Sequence, residues 1–213
     1  MKTKILVAPS ILGIDYGRLN EHLKELAPLA DWFHVDVMDG NFVPNLSIGA
    51  MVVARMKTDV PLDCHLMINE PHKYIEEYAK AGAYSITIHA EASKHLSADV
   101  DKIKALGCRA SVSINPDTPI DKIAKILPKL DMVLVMSVFP GFGGQKFISD
   151  VLEKVRWLRG HYPKLDIQID GGINDETGIL AVEAGANILV AGSYILKADD
   201  PVGAVSKLRE GIE

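Results

Sequence analysis

Two rhythms of apolar residues alternate along the chain. Short runs rich in β-branched and aliphatic side chains predict strands at 5–10, 32–38, 62–68, 84–89, 109–115, 132–138, 165–170 and 187–192, and the stretches between them carry apolar residues at helical spacing. In the first of these Leu19, Leu23, Leu26 and Ala30 recur three and four residues apart, one apolar stripe of the kind that packs on a sheet. Comparable stripes are expected after each later strand. Eight strand–helix units in succession predict a parallel sheet. The expected fold is α/β, a single-domain (β/α)8 TIM barrel with eight parallel strands over residues 1–213, with an open doubly wound sheet as the competing arrangement. The segments 79–90 and 181–192 share a helix end, an Ala-Gly-Ala turn and a following strand, which reads as common junction chemistry rather than duplication.

Polar residues interrupt the strand pattern on one parity. Alternate side chains of a strand face opposite ways, so His34 and Asp36 share a face with Trp32 and Met38, while Phe33, Val35 and Val37 take the face that meets helices. In the third strand Asp63, His65 and Met67 turn inward, and in the seventh Asp166, Gln168 and Asp170 do. Isolated buried charge is costly, so such groups must reach water, pair with one another or bind a cation. The C-terminal ends of barrel strands line the active site. His34, Asp36, His65 and Asp170 occupy those ends, whereas Asp63, Asp166 and Gln168 lie lower and are expected to hydrogen-bond within the barrel. Two imidazoles and two carboxylates suit a divalent transition ion such as zinc, manganese, cobalt or iron better than calcium. A buried hydrogen-bonded or ion-paired network without metal answers the same cost. His89, ending the fourth strand, reads as a hydrogen-bonded rim histidine, and inward Met38, Met67 and Met136 read as packing.

Composition narrows the classes. Hydrophobic residues make up 48% of the 213 positions and charged residues 24%, enough for a large core. The net charge of -5 is spread without a basic run, so neither nucleic acid nor membrane is expected as a partner. Cys64 and Cys108 are too few for a disulfide framework. The N-terminal apolar run is broken early by Pro9 and Ser10, too soon for an export signal, and a cytoplasmic location is expected. Glycine clusters follow three adjacent strands, "PGFGGQKF" at 140–147, "DGGI" at 170–173 and "AGS" at 191–193. Backbone amides there can wrap a phosphate without a lysine, and the longest loop can close over a ligand.

The stretches "APSIL" (8–12), "FHVDVMDGNFVPN" (33–45), "HLMI" (65–68), "PGFGGQKF", "DGGI" and "AGS" together resemble the ribulose-phosphate 3-epimerase family along nearly the whole chain. That resemblance implies interconversion of D-ribulose 5-phosphate and D-xylulose 5-phosphate by a homo-oligomer. It implies one divalent cation per subunit, zinc first with iron, manganese or cobalt as alternatives, held by His34, Asp36, His65 and Asp170. Asp36 and Asp170 are then the catalytic pair, and Ser10, His65, Gly141, Phe142, Gly143, Gly144, Gly171, Gly172, Gly192 and Ser193 contact the sugar phosphate. Inverting a carbon beside a ketone needs a proton removed on one face and returned on the other, which suits two acids from distant strands. "DCHLM" at 63–67 also resembles allulose-6-phosphate 3-epimerases. A barrel decarboxylase is disfavoured by Met38, which stands where such enzymes carry lysine, and a noncatalytic sugar-phosphate sensor is the remaining rival.

Overall fold

A computed structural model describes residues 4–210. The first three residues of the N-terminal stretch weighed as an export signal, and the last three of the domain expected over 1–213, lie outside them.

The strands are β1 (Leu6–Pro9), β2 (Phe33–Met38), β3 (Leu62–Met67), β4 (Ser85–His89), β5 (Arg109–Ile114), β6 (Met132–Met136), β7 (Asp166–Asp170) and β8 (Ile188–Ala191). All pair in parallel, in the order β1-β8-β7-β6-β5-β4-β3-β2. The sheet closes where β1 meets β2, through a bridge between Ser10 and His34 and bonds from the amides of Asp31 to Val7 O (2.9 Å) and Ile11 to His34 O (3.0 Å). An open doubly wound sheet is thereby excluded.

Outward residues such as Phe33, Val35, Cys64, Leu66, Val133 and Ile167 form the core shared by sheet and helices. Inside, Ala8, Trp32, Met132, Ile188 and Val190 pack as a separate apolar cluster. The helices are α1 (Leu19–Leu26), α2 (Ala50–Val53), α3 (Ile75–Lys80), α4 (Leu96–Ala105), α5 (Leu152–His161), α6 (Asp175–Ala184), α7 (Ser193–Leu196) and α8 (Pro201–Glu210). Their local signals are ordinary. Asn174 caps α6 through a reciprocal bond with Thr177, and Gly185 ends it at a φ of 116°.

One interval departs from the expected alternation. After β5 there is no α-helix but two 3-10 turns, Ile120–Lys122 and Leu127–Lys129. Pro116, Pro119 and Pro128 fall in that interval, and each lacks an amide donor that an α-helix there would need. The interval between β2 and β3 is also lean in helix, with four-residue α2 preceded by a long loop. Among the described residues no helix is long and apolar enough to cross a membrane.

Candidate active site

Strand period brings the polar parity together. In β2 and β3, His34 stands beside Asp63 and Asp36 beside His65. β7 lies three places from β2 by way of β1 and β8, so Asp170 reaches the same centre from another side. Ligand atoms of His34, Asp36, His65 and Asp170 all lie within 4.8 Å of one another. His34 Nε2 is 3.3 Å from His65 Nδ1, 3.4 Å from Asp36 Oδ1 and 3.9 Å from Asp170 Oδ2, and His65 Nδ1 is 3.5 Å from Asp36 Oδ1.

His34, Asp36 and His65 are each held from behind. His34 Nδ1 bonds Asp63 Oδ2 at 2.8 Å, and Gln168 Nε2 donates to the same oxygen at 2.8 Å, so both lower polar residues hydrogen-bond within the barrel as expected. The third, Asp166, lies at the lower rim, paired with Arg109 and accepting from Asn187 Nδ2. Ser10 Oγ donates to Asp36 Oδ2 at 2.6 Å, and Ser47 Oγ donates to the Asp36 carbonyl at 2.6 Å. His65 Nε2 lies 2.8 Å from Nε2 of His89, whose Nδ1 is 3.2 Å from Glu91 Oε2. His89 is therefore not a rim residue. It is fully buried, a second layer behind the cluster.

Charges in the cluster are out of balance. Burial alone would push His34 down, but Asp36 and Asp63 hold it well above the usual histidine range. Burial would raise Asp36, and the facing His34 and His65 bring it far below the usual carboxylate range. Burial pushes His65 down to about 4 despite the nearby Asp36 carboxylate. Asp170 is pushed up to about 7, first by burial and then by the negative charge of Asp36. Three carboxylates thus surround one imidazolium, and further positive charge is favoured where the four donors converge. Two nitrogens and two oxygens at that point can hold a divalent transition ion.

Asp36 and Asp170 form the floor of a cavity of about 510 Å³ at the C-terminal ends of the strands, a size that suits a small ligand. Ser10, Asp36, Gly141, Phe142, Gly143, Gly144, Asp170, Gly171, Gly172, Gly192 and Ser193 all line it, with Met38, Met67 and Met136 as an apolar wall. His34 and His65 do not, because both are wholly buried beneath that floor. The glycine loop is braced by Gln145 Nε2, which donates to Phe139 O (2.7 Å) and Phe142 O (2.9 Å), and by Asn45 Nδ2, which donates to Gly141 O (2.8 Å).

Several lining residues escaped the sequence reading. Tyr16, Asn45, Ser47 and Lys197 come from loops or helix ends, where no strand parity marks them. The Tyr16 hydroxyl is pushed up to about 12 by burial and then by Asp36. Lys197 adds a cation beside the glycine clusters, which the expectation of a lysine-free anion site had left out.

Solved structures of 3-hexulose-6-phosphate synthase (TM-score 0.75, 18% identity, covering 98% of this chain and 100% of that one) and of KGPDC from Streptococcus mutans (TM-score 0.77, 15% identity, 98% and 97%) share the barrel. At such identities they speak for the fold alone. Sequence relatives are nearer. Proteins named ribulose-phosphate 3-epimerase are 50% identical in Mycobacterium bovis, over 96% of this chain and 91% of that protein, and 47% identical in Bacillus subtilis, over 96% and 98%. A rice protein named as the cytoplasmic isoform is 45% identical over 97% of this chain and 94% of its own length. The model of the ribulose-phosphate 3 epimerase family matches residues 6–196, a span that takes in the paired aspartates, His34, His65 and all three glycine clusters, and so the chain belongs to that family.

Proposed function

We propose that the protein interconverts D-ribulose 5-phosphate and D-xylulose 5-phosphate by proton transfer at C3. The observation that carries this reading is the placement of Asp36 and Asp170, carboxylates from β2 and β7 that converge within 4.8 Å on one cavity floor. A ketose lying on that floor presents opposite faces of C3 to the two acids. Asp36, ionised and held by Ser10, accepts the C3 proton and leaves an enediolate. Asp170 returns a proton on the other face, and the roles exchange in reverse. The methionine wall excludes water and strengthens these charge interactions. The backbone amides of the 141–144 loop, Gly171, Gly172, Gly192 and Ser193, with the Lys197 ammonium nearby, hold the phosphate.

His34, Asp36, His65 and Asp170 would hold one divalent cation, zinc first by its donor preference. Bound there, it supplies Lewis acidity toward the carbonyl oxygen and so acidifies the C3–H. The same reading places the protein in the cytoplasm as a homo-oligomer of single-domain subunits, which light scattering of the purified protein checks.

Turnover in deuterium oxide tests the chemistry. Wild-type protein should form xylulose 5-phosphate labelled at C3, and Asp36→Asn or Asp170→Asn should lower kcat by roughly a hundredfold or more. Near-normal turnover in either variant would reject the two-acid reading. A higher kcat/KM on allulose 6-phosphate than on ribulose 5-phosphate would reject the pentose assignment.

A further inference from the structure

Behind His65 lies a hydrogen-bonded chain that ends in an ion clamp, and none of its outer members touches the cavity. His65 Nε2 meets His89 Nε2 at 2.8 Å, and His89 Nδ1 meets Glu91 Oε2 at 3.2 Å. The other carboxylate oxygen, Glu91 Oε1, accepts from the Asn115 amide at 2.9 Å and from the Thr118 hydroxyl. That loop is itself fixed from α5. Lys154 Nζ donates to the carbonyls of Asn115 (2.8 Å), Pro116 (2.7 Å) and Thr118 (2.7 Å). Phe42 covers the His89 ring, with centroids 4.7 Å apart.

We infer that Glu91, acting through His89, sets the tautomer of His65 and thereby turns its Nδ1 lone pair toward the His34, Asp36 and Asp170 cluster. The direction of each proton in the chain follows from its carboxylate end. A carboxylate only accepts, so His89 Nδ1 carries hydrogen and donates to Glu91. The neutral ring of His89 then has a bare Nε2, which accepts from Nε2–H of His65. That leaves Nδ1 of His65 without hydrogen. Carboxylate and histidine partners of this kind fix the donor atom of a metal-ligating histidine. Glu91 and His89 are thus positioning residues, and the inference rests on the metal-holding role proposed above only for its consequence.

Glu91→Gln is the informative change, because it keeps the shape and reverses the chain. Its amide oxygen stays with the Asn115 and Thr118 donors, which puts the amide NH2 against His89 Nδ1. His89 must then accept at Nδ1 and donate from Nε2, which forces hydrogen onto Nδ1 of His65. Ring 15N spectra of histidine-labelled, metal-free protein read this directly. Wild type should show His65 protonated at Nε2 and His89 at Nδ1, and Glu91→Gln should exchange both patterns. Zn2+ affinity, measured by competition with a chromophoric chelator, should fall about tenfold to a hundredfold in the variant, with thermal unfolding reporting that it folds. Wild-type His65 protonated at Nδ1 would overturn the inference without any variant, as would Glu91→Gln protein that folds and keeps the wild-type tautomers. Correct tautomers in a protein with no affinity for Zn2+ would uphold the orientation and remove the metal-holding reading instead.

Discussion

Nδ1 of His34 lies 2.8 Å from Oδ2 of Asp63, and both side chains are closed off from solvent. The bond leaves Nε2 as the only ring nitrogen that faces the cluster, and the carboxylate makes that nitrogen a stronger donor to a cation. Asp63→Asn keeps the shape and removes the charge. Zn2+ binding to the variant is expected to weaken by about tenfold to a hundredfold, measured by chelator competition. Affinity equal to wild type would show that the Asp63 charge contributes nothing to the centre.

Ser10 makes a different kind of contact. Its hydroxyl donates to Oδ2 of Asp36 at 2.6 Å, the oxygen turned away from His34 and His65, while its own amide continues the β1–β8 pairing through Ala191 O at 3.1 Å. Losing a hydrogen bond to a buried charge costs roughly 1.5–3 kcal/mol. Ser10→Ala should therefore lower kcat about tenfold to a hundredfold, since the strand pairing stays while the carboxylate and the Leu12 amide, which donates to the same hydroxyl at 3.2 Å, are released. Steady-state kinetics with ribulose 5-phosphate checks it, and an unchanged kcat would mean the hydroxyl is idle.

Gly171 joins β7 to the glycine cluster at a φ of +116°, and a Cβ there would lie 2.4 Å from Val138 Cγ2 and 2.9 Å from the Val138 amide nitrogen. The neighbouring backbone cannot yield freely, because the Ser137 hydroxyl shares its one hydrogen between the Asp170 and Gly171 carbonyls, at 2.8 and 2.7 Å, and the Ser137 amide donates to the Asp170 carbonyl at 2.7 Å. Gly171→Ala should cost roughly 1–3 kcal/mol of stability. Because the displaced segment lines the cavity beside Gly172, KM for the sugar phosphate should rise as well. Calorimetry and initial rates test the two halves separately; a normal Tm would remove the steric argument.

The strands and the central cluster were legible because a period of two makes any polar residue on an apolar strand conspicuous. Asp36, His65 and Asp170 announced themselves in this way, and the outward parity of Cys64 correctly set it among helix-facing core residues. The interval after β5 misled for a related reason. Ile120, Ile123, Ile126 and Leu130 are spaced by three or four residues, and a spacing of three suits 3-10 turns as well as an α-helix. Prolines decide between the two, not the apolar stripe. The support behind His65 was hidden more deeply. Glu91 follows β4 in a loop, and its partners Asn115 and Thr118 stand 24 and 27 residues further along, a juxtaposition that the parallel pairing of β4 with β5 creates.

The crowding that suits Asp170 to proton transfer also makes it a liability to the metal-free fold. Its carboxyl is raised to about 7 by burial and by the charge of Asp36, whereas an unfolded aspartate titrates near about 4. A folded value above the unfolded one means a contribution fully present below about pH 4 and lost as pH rises through about 7. Metal-stripped protein should therefore lose stability across that window on account of this residue. Asp170→Asn, which has no proton to lose, should be more stable than metal-stripped wild type at about pH 8, by roughly 1–4 kcal/mol, and should lose that advantage below about pH 4. Zn2+ should restore the wild type more than the variant, because a ligand that binds only the folded state stabilises it by mass action. Calorimetric scans of both proteins with and without chelator, across this pH range, decide the matter. A Tm difference between them that does not change with pH would show that Asp170 is not titrating in the folded protein, and would remove the basis for assigning it the proton-donating role.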